Sequence, residues 1–106
     1  MTDLPAPVQT FIDATNRGDT EAFVAAFTDD AHLEDWGRVF RGREGARSWN
    51  ASDNIGKRSH FDVLGVEREG DDYVVTVAVT GDGFTGTSPI RFAVDGDRIS
   101  RMVIAP

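Results

Sequence analysis

The sequence predicts an α+β domain: a curved, cone-shaped antiparallel sheet with three helices from the N-terminal half on its concave face, enclosing a pocket. Three observations carry this. Apolar residues recur at helical spacing through the first half, they alternate with polar residues through the second, and short turn-like links separate the alternating runs. At 106 residues the chain is read as a single domain, 1–106, because domains typically run about 100–200 residues.

The first helix is read from Val8, Phe11, Ile12 and Thr15, which share one helical face. Asp3 is expected as its N-cap, with Pro5 in the first turn, and Gly18 ends it by adopting the left-handed conformation. Asp19 then caps a short second helix whose buried stripe is Phe23, Ala26 and Phe27. Thr28-Asp29-Asp30 has turn chemistry, and a short strand follows from Ala31 to Asp35, stopped at Gly37. A third helix is expected from Gly42 to about Asn54, weakened by Gly45, which costs about 1 kcal/mol against alanine.

Alternation then takes over. The inward sets are Phe61, Val63 and Val66; Tyr73, Val75, Val77 and Val79; Ile90, Phe92 and Val94; and Ile99, Arg101 and Val103. Gly70-Asp71-Asp72, Gly81-Asp82-Gly83 and Asp95-Gly96-Asp97 link these runs, so consecutive strands must be antiparallel. Pro89 marks a bulge or an edge. Helices on one face leave the other face bare, and a homodimer through that outer face, about a two-fold axis, is expected.

Charge narrows the function classes. Eighteen acids against eleven bases give a net charge of −7, which argues against nucleic-acid and anionic-membrane partners, since both need a positive field. Without cysteine there is no disulfide, thiolate nucleophile or thiolate metal site, and His32 and His60 alone do not complete a zinc shell. No metal or cofactor is expected. Met1-Thr2-Asp3 has no basic head and no apolar run approaches a signal or spanning segment, so a cytoplasmic protein is expected. Bases concentrate at Arg38, Arg41, Arg43, Arg47, Lys57 and Arg58, either as a solvated face answering nearby acids or as a rim for an anionic or enolic ligand.

Three segments carry a resemblance to a known family: Phe11 to Asp19 (FIDATNRGD), Phe23 to Asp35 (FVAAFTDDAHLED) and Gly37 to Trp49 (GRVFRGREGARSW). Their order resembles the nuclear transport factor 2-like superfamily, in its SnoaL-like and ketosteroid-isomerase-like branch. The resemblance implies a cone-shaped α+β barrel, often dimeric through its sheet. Its members include isomerases, polyketide cyclases, dehydratases, epoxide hydrolases and proteins without chemistry, among which fold does not choose.

Asp35 is the candidate catalytic residue. Alternation places Ala31, Leu33 and Asp35 on one face, and the resemblance puts Asp35 where such isomerases keep their general base. Desolvation makes a carboxylate in an apolar wall a better base than one in water; a strand-end aspartate capping a turn is the plainer alternative. The catalytic reading expects Asp35 to be mostly buried in the largest pocket, with Arg38 pointing to solvent at the rim. Trp36 and Arg38 are read at the entrance, Trp49 as cavity wall or core, and Asn50 and Asn54 as ligand-facing amides or helix-end caps.

Departures from the family pattern are equally informative. Phe11 stands at the position of an oxyanion-hole tyrosine, contacting substrate without donating a hydrogen bond, and Ser88-Pro89 stands where a protonated acid is found. The runs 73–80 and 86–94 hold no carboxylate or histidine of the kind polyketide cyclases use. Nor do the late strands carry the arginine between two aspartates of the epoxide hydrolases. His60 with Asp62 is read as solvent-facing, and His32 with Glu34 as outer-face contacts. The function expected is a small-molecule pocket protein that performs cofactor-free proton transfer (isomerisation, cyclisation or dehydration) on a small hydrophobic substrate. The other class is a non-catalytic binding or dimerisation module.

Overall fold

A computed structural model describes residues 3–105; Met1 and Thr2 of the opening tripeptide lie outside them. The elements in chain order are α1 (Ala6–Arg17), α2 (Thr20–Ala25), β1 (Phe27–Asp35), β2 (Arg38–Arg41), α3 (Gly42–Asp53), a 3₁₀ turn (Ile55–Lys57), β3 (His60–Glu69), β4 (Asp72–Thr80), β5 (Gly86–Asp95) and β6 (Arg98–Ile104). The sheet is curved and unclosed, with strand order β2-β1-β6-β5-β4-β3.

The first helix buries the expected stripe of Val8, Phe11, Ile12 and Thr15 and ends at Gly18 in the left-handed region, φ 72°. Its N-cap is Pro5, not Asp3, and no side chain among the described residues caps it. Pro7 in the first turn lacks an N–H, which removes one orphan donor that an aspartate cap would have served. Asn16 fastens α1 to the sheet edge: its Nδ2 donates to Phe61 O at 2.9 Å, and its Oδ1 accepts from Phe61 N at 2.7 Å. Asp19 caps α2 as expected, accepting from Ala22 N at 3.1 Å.

Phe27 belongs to a strand and not to α2. Ile99 N donates to Ala26 O at 2.7 Å, so pairing with β6 begins where the short helix ends. The turn-type residues Thr28, Asp29 and Asp30 fall in an irregularity of β1 between its two stretches of parallel pairing with β6. A bulge tolerates turn chemistry inside a strand. Trp36 and Gly37, at φ 50° and 83°, form a two-residue hairpin loop into β2, an element the sequence reading treats only as a break.

From β3 to β6 every neighbouring pair is antiparallel, as the short links require; β1 alongside β6 is parallel, which makes the sheet mixed. The inward set of β6 is Ile99, Met102 and Ile104, while Arg101 and Val103 face outward. Ser100 is an extra residue opposite Ala93–Val94, and its Oγ donates to Ala93 O at 3.2 Å; the bulge reverses the alternation after Ile99. A second irregularity at Leu64 leaves Val63 exposed.

The core lies between the helices and the concave face. Phe11 is fully buried, with ring centroids 5.2 Å from Phe23, 5.5 Å from Phe61 and 5.3 Å from Phe92. Each such ring contributes about 1.5–3 kcal/mol by leaving water.

Candidate functional site

The two-residue loop sets the site's first relationship. Asp35 and Arg38 close the hairpin as cross-strand partners, so their side chains emerge on one face. Arg38 Nη2 donates to Asp35 Oδ2 at 2.7 Å, and therefore Arg38 does not point away to solvent as the sequence reading expects. The helix α3 crosses that face and presents Trp49 and Asp53 one turn apart. Trp49 Nε1 donates to the same Asp35 oxygen at 2.9 Å, and Arg38 reaches on to Asp53 Oδ1 at 3.0 Å. The guanidinium thus sits between two aspartates. The late strands, where the family pattern places such a trio, lack it; here it is assembled from the hairpin pairing of Asp35 with Arg38 and from α3.

Burial alone would raise the Asp53 carboxyl. Hydrogen bonds from Arg38 and Ser52, with the charges of Arg38 and Lys57, outweigh it and hold the group below its ordinary value. Both hydrogen bonds to Asp35 fall on Oδ2; its Oδ1 receives none from the described residues.

A cavity of about 160 Å³ opens beside this network. Asp35, Trp36, Trp49, Asp53, Asn54 and Lys57 line it on the helix side, and Ser59, Phe61, Val79, Ser88, Ile90 and Ile104 on the sheet side, with Gly83 and Phe84 at a loop. An apolar cavity of about 150 Å³ holds one benzene, so this volume suits a single-ring molecule. A groove of about 540 Å³ beside Pro7 and Tyr73 is larger, contrary to the expectation that Asp35 lines the largest pocket. That groove lies among exposed turns and holds no buried acid, base or amide, so the site is placed at the cavity beside Asp35.

The candidate residues divide. Asp35, Trp36 and Trp49 line the cavity, with Trp36 61 % exposed at its mouth. Arg38 is absent from the wall and acts on it through Asp35 and Asp53. Phe11 and Asn50 stand apart from it: Phe11 is enclosed by other phenylalanines, and buried Asn50 accepts from Asn54 Nδ2 at 3.0 Å and donates to Thr20 Oγ1 at 3.4 Å. Neither lines the cavity. Lys57, named in the sequence only as one of the basic group, lines the cavity with Ser59 and Phe84; neither the residue before β3 nor a glycine-rich loop has a periodicity that announces which way it faces.

Most of the basic stretch answers acids. Arg43 pairs with Asp29, Arg47 with Glu21 at 2.8 Å and Arg58 with Asp82. His60 and Asp62 are exposed and 3.5 Å apart, and His32 meets Glu34 at 3.3 Å. Among the described residues no group of three or more His, Cys, Asp or Glu is arranged to hold a metal ion, and no helix is long and apolar enough to cross a membrane.

An α+β sheet cone with a small, mostly apolar cavity and an acidic residue on its wall defines the class of protein. The family model of the SnoaL-like domain matches residues 8–102, and the chain belongs to that family. Its fold is similar to that of a Sinorhizobium meliloti protein described as a candidate polyketide cyclase, at TM-score 0.86 and 29 % identity over 96 % of this chain and 95 % of that one. It is similar to a cystatin-fold protein from Novosphingobium aromaticivorans, at TM-score 0.79 and 22 % identity over 94 % and 95 %. A Kribbella flavida protein described as a candidate ketosteroid isomerase is also similar, at TM-score 0.79 and 18 % identity over 95 % and 75 %. No curated protein matches the chain.

Proposed function

We propose that the cavity takes up a small, largely apolar molecule and that Asp35 accepts a proton from it through Oδ1. One observation carries this reading: Asp35 has one oxygen committed to Arg38 and Trp49 and the other without a partner among the described residues, on the wall of a mostly apolar cavity. A carboxylate is a modest base, matched to a carbon acid already activated by a neighbouring carbonyl. The enolate so formed needs a positive or donating partner, and Lys57, Ser59 and Ser88 line the same cavity. The candidate cyclase and isomerase among the structural relatives are named for chemistry of this kind. Hydrogen–deuterium exchange at the α-carbon of 4-hydroxycyclohexanone, followed by proton NMR in D₂O, tests it. Exchange above the uncatalysed rate that Asp35→Asn abolishes supports the reading; equal rates for wild type and Asp35→Asn refute it.

A second reading is binding without turnover, favoured by the same ion pairs. Arg38 ties β1 and β2 to α3 through Asp35 and Asp53, which is what a strut does. Under it, small ring compounds bind the cavity and no exchange is seen.

The proposed assembly is a homodimer through the outer sheet face. That face carries Val74, Thr76 and Ala78 of β4, Pro89 and Ala93 of β5, and Val103 of β6, interspersed with Arg91, Arg101, His32 and Glu34. It is neither wholly charged nor wholly apolar, as suits a self-complementary surface. Light scattering at micromolar protein should give twice the 11.6 kDa chain mass; a monomer mass would remove the proposal.

A further inference from the structure

We propose that Asn54 is the ligand-selecting acceptor of this cavity, holding a small neutral ring molecule by a hydroxyl or N–H group at its inner end. The inference rests on the reading of the cavity as a ligand site and names what that ligand must carry.

Asn54 is 1 % exposed and lies on the cavity wall. Its backbone is satisfied: the N–H donates to Asn50 O at 3.2 Å, and the carbonyl accepts from Lys57 N at 2.9 Å and Ser59 N at 3.1 Å. Both side-chain N–H bonds are used as well. Nδ2 donates to Thr15 Oγ1 at 2.9 Å and to Asn50 Oδ1 at 3.0 Å. Oδ1, by contrast, is buried with no partner among the described residues. Buried polar groups are overwhelmingly paired, so an orphaned acceptor on a residue that lines the cavity is the group there that calls for a donor, and the cavity is the side from which a guest can bring one.

Rotating the amide by half a turn does not remove the orphan. Asn50 Oδ1 also accepts from Ile55 N at 3.4 Å, and Asn50 Nδ2 is committed to Thr20. The atom Asn50 turns toward Asn54 is therefore an acceptor, and Asn54 must meet it with N–H. The network α1–Asn54–Asn50–α2 fixes which atom is left over.

The rest of the wall sets the ligand's class. Trp49, Phe61, Val79 and Ile90 present apolar surface beside the paired carboxylates of Asp35 and Asp53 and the polar Lys57, Ser59 and Ser88, and the volume of about 160 Å³ limits the guest to about one ring. A site built to accept a hydrogen bond rejects an analogue lacking the donor, because its own polar atom is then left unpaired. A phenol or a heteroaromatic N–H compound fits; a hydrocarbon of the same shape does not.

Phenol and toluene, matched in shape, provide the test by titration calorimetry against wild type, Asn54→Leu and the cavity-filling Val79→Phe. Wild type is expected to bind phenol at least as tightly as toluene, although toluene is the more apolar. In Asn54→Leu the ratio should shift toward toluene by about five-fold or more, the lower end of what pairing one buried acceptor is worth. Tighter binding of toluene to wild type, or an unchanged ratio in Asn54→Leu, overturns the inference and shows the acceptor satisfied by water, while the cavity remains a ligand site. If neither probe binds, or Val79→Phe leaves binding unaltered, the cavity reading falls and this inference with it. Should Asn54→Leu fail to fold, the side-chain amide signals of Asn54 in wild type decide: movement with phenol but not toluene supports the inference, and any other pattern overturns it.

Discussion

Trp49 and Arg38 donate to the same oxygen of Asp35, from 2.9 Å and 2.7 Å respectively. One donor comes from the helix and one from the neighbouring strand, so a single atom joins α3, β1 and β2. The indole is itself stacked on Phe23, with centroids 6.0 Å apart, so its N–H is held in place by packing. Trp49→Phe keeps a ring and deletes the donor. It should cost about 1.5–3 kcal/mol in urea unfolding, the range for hydrogen bonds to charged groups, plus a smaller loss of packed area. A change under about 0.5 kcal/mol would mean the bond contributes nothing net.

Acid should weaken the fold through Asp53. Its carboxyl titrates below the ordinary value, because the hydrogen bonds and charge of Arg38, helped by Ser52 and Lys57, outweigh burial. The folded state then binds fewer protons than the unfolded one, so this stabilisation is complete above the unfolded value and is lost as pH falls through the lower folded one. The backbone bond from Ala22, with Arg17, moves Asp19 the same way, and Arg47 does so for Glu21. The stability gap between wild type and Asp53→Asn should be full above about pH 5 and should close below about pH 4. A gap independent of pH would contradict the assignment.

Trp36 trades stability for a wall. It occupies the first loop position of a hairpin at φ 50°, where asparagine is preferred and a bulky side chain is strained. Most of its ring is in solvent, so little buried area is at stake. Trp36→Asn is expected to stabilise the protein by roughly 1 kcal/mol, the size of the left-handed penalty. Phenol should bind this variant more weakly than wild type. Destabilisation on thermal melting would show that the indole packs more than its exposure suggests.

Gly45 reverses a propensity rule. Glycine inside a helix costs about 1 kcal/mol against alanine, so propensity alone makes Gly45→Ala stabilising. A Cβ built there would lie 2.6 Å from the backbone carbon of Phe40 and 3.1 Å from its Cα. Strand β2 approaches α3 too closely for a methyl group, and the expected result is a net loss of about 1–3 kcal/mol from overpacking. A rise in melting temperature would show that β2, an edge strand, yields freely.

The sequence by itself determined what local patterns control. The stripe of Val8, Phe11, Ile12 and Thr15, the Gly18 stop, the Asp19 cap and the antiparallel order of the last four strands all follow from periodicity and turn chemistry within a few residues. Asp35 at the end of an inward row was legible for the same reason. Tertiary structure decided the rest, because it depends on residues far apart in the chain. Parallel pairing with β6 carried β1 through turn-type residues, and a bulge at Ser100 turned Met102 inward in place of Arg101. Packing also enclosed Phe11 among Phe23, Phe61 and Phe92, away from the cavity. Asn54 shows the division most clearly: its spacing from Asn50 is written in the sequence, but that its Oδ1 alone lacks a partner among the described residues depends on Thr15, thirty-nine residues away.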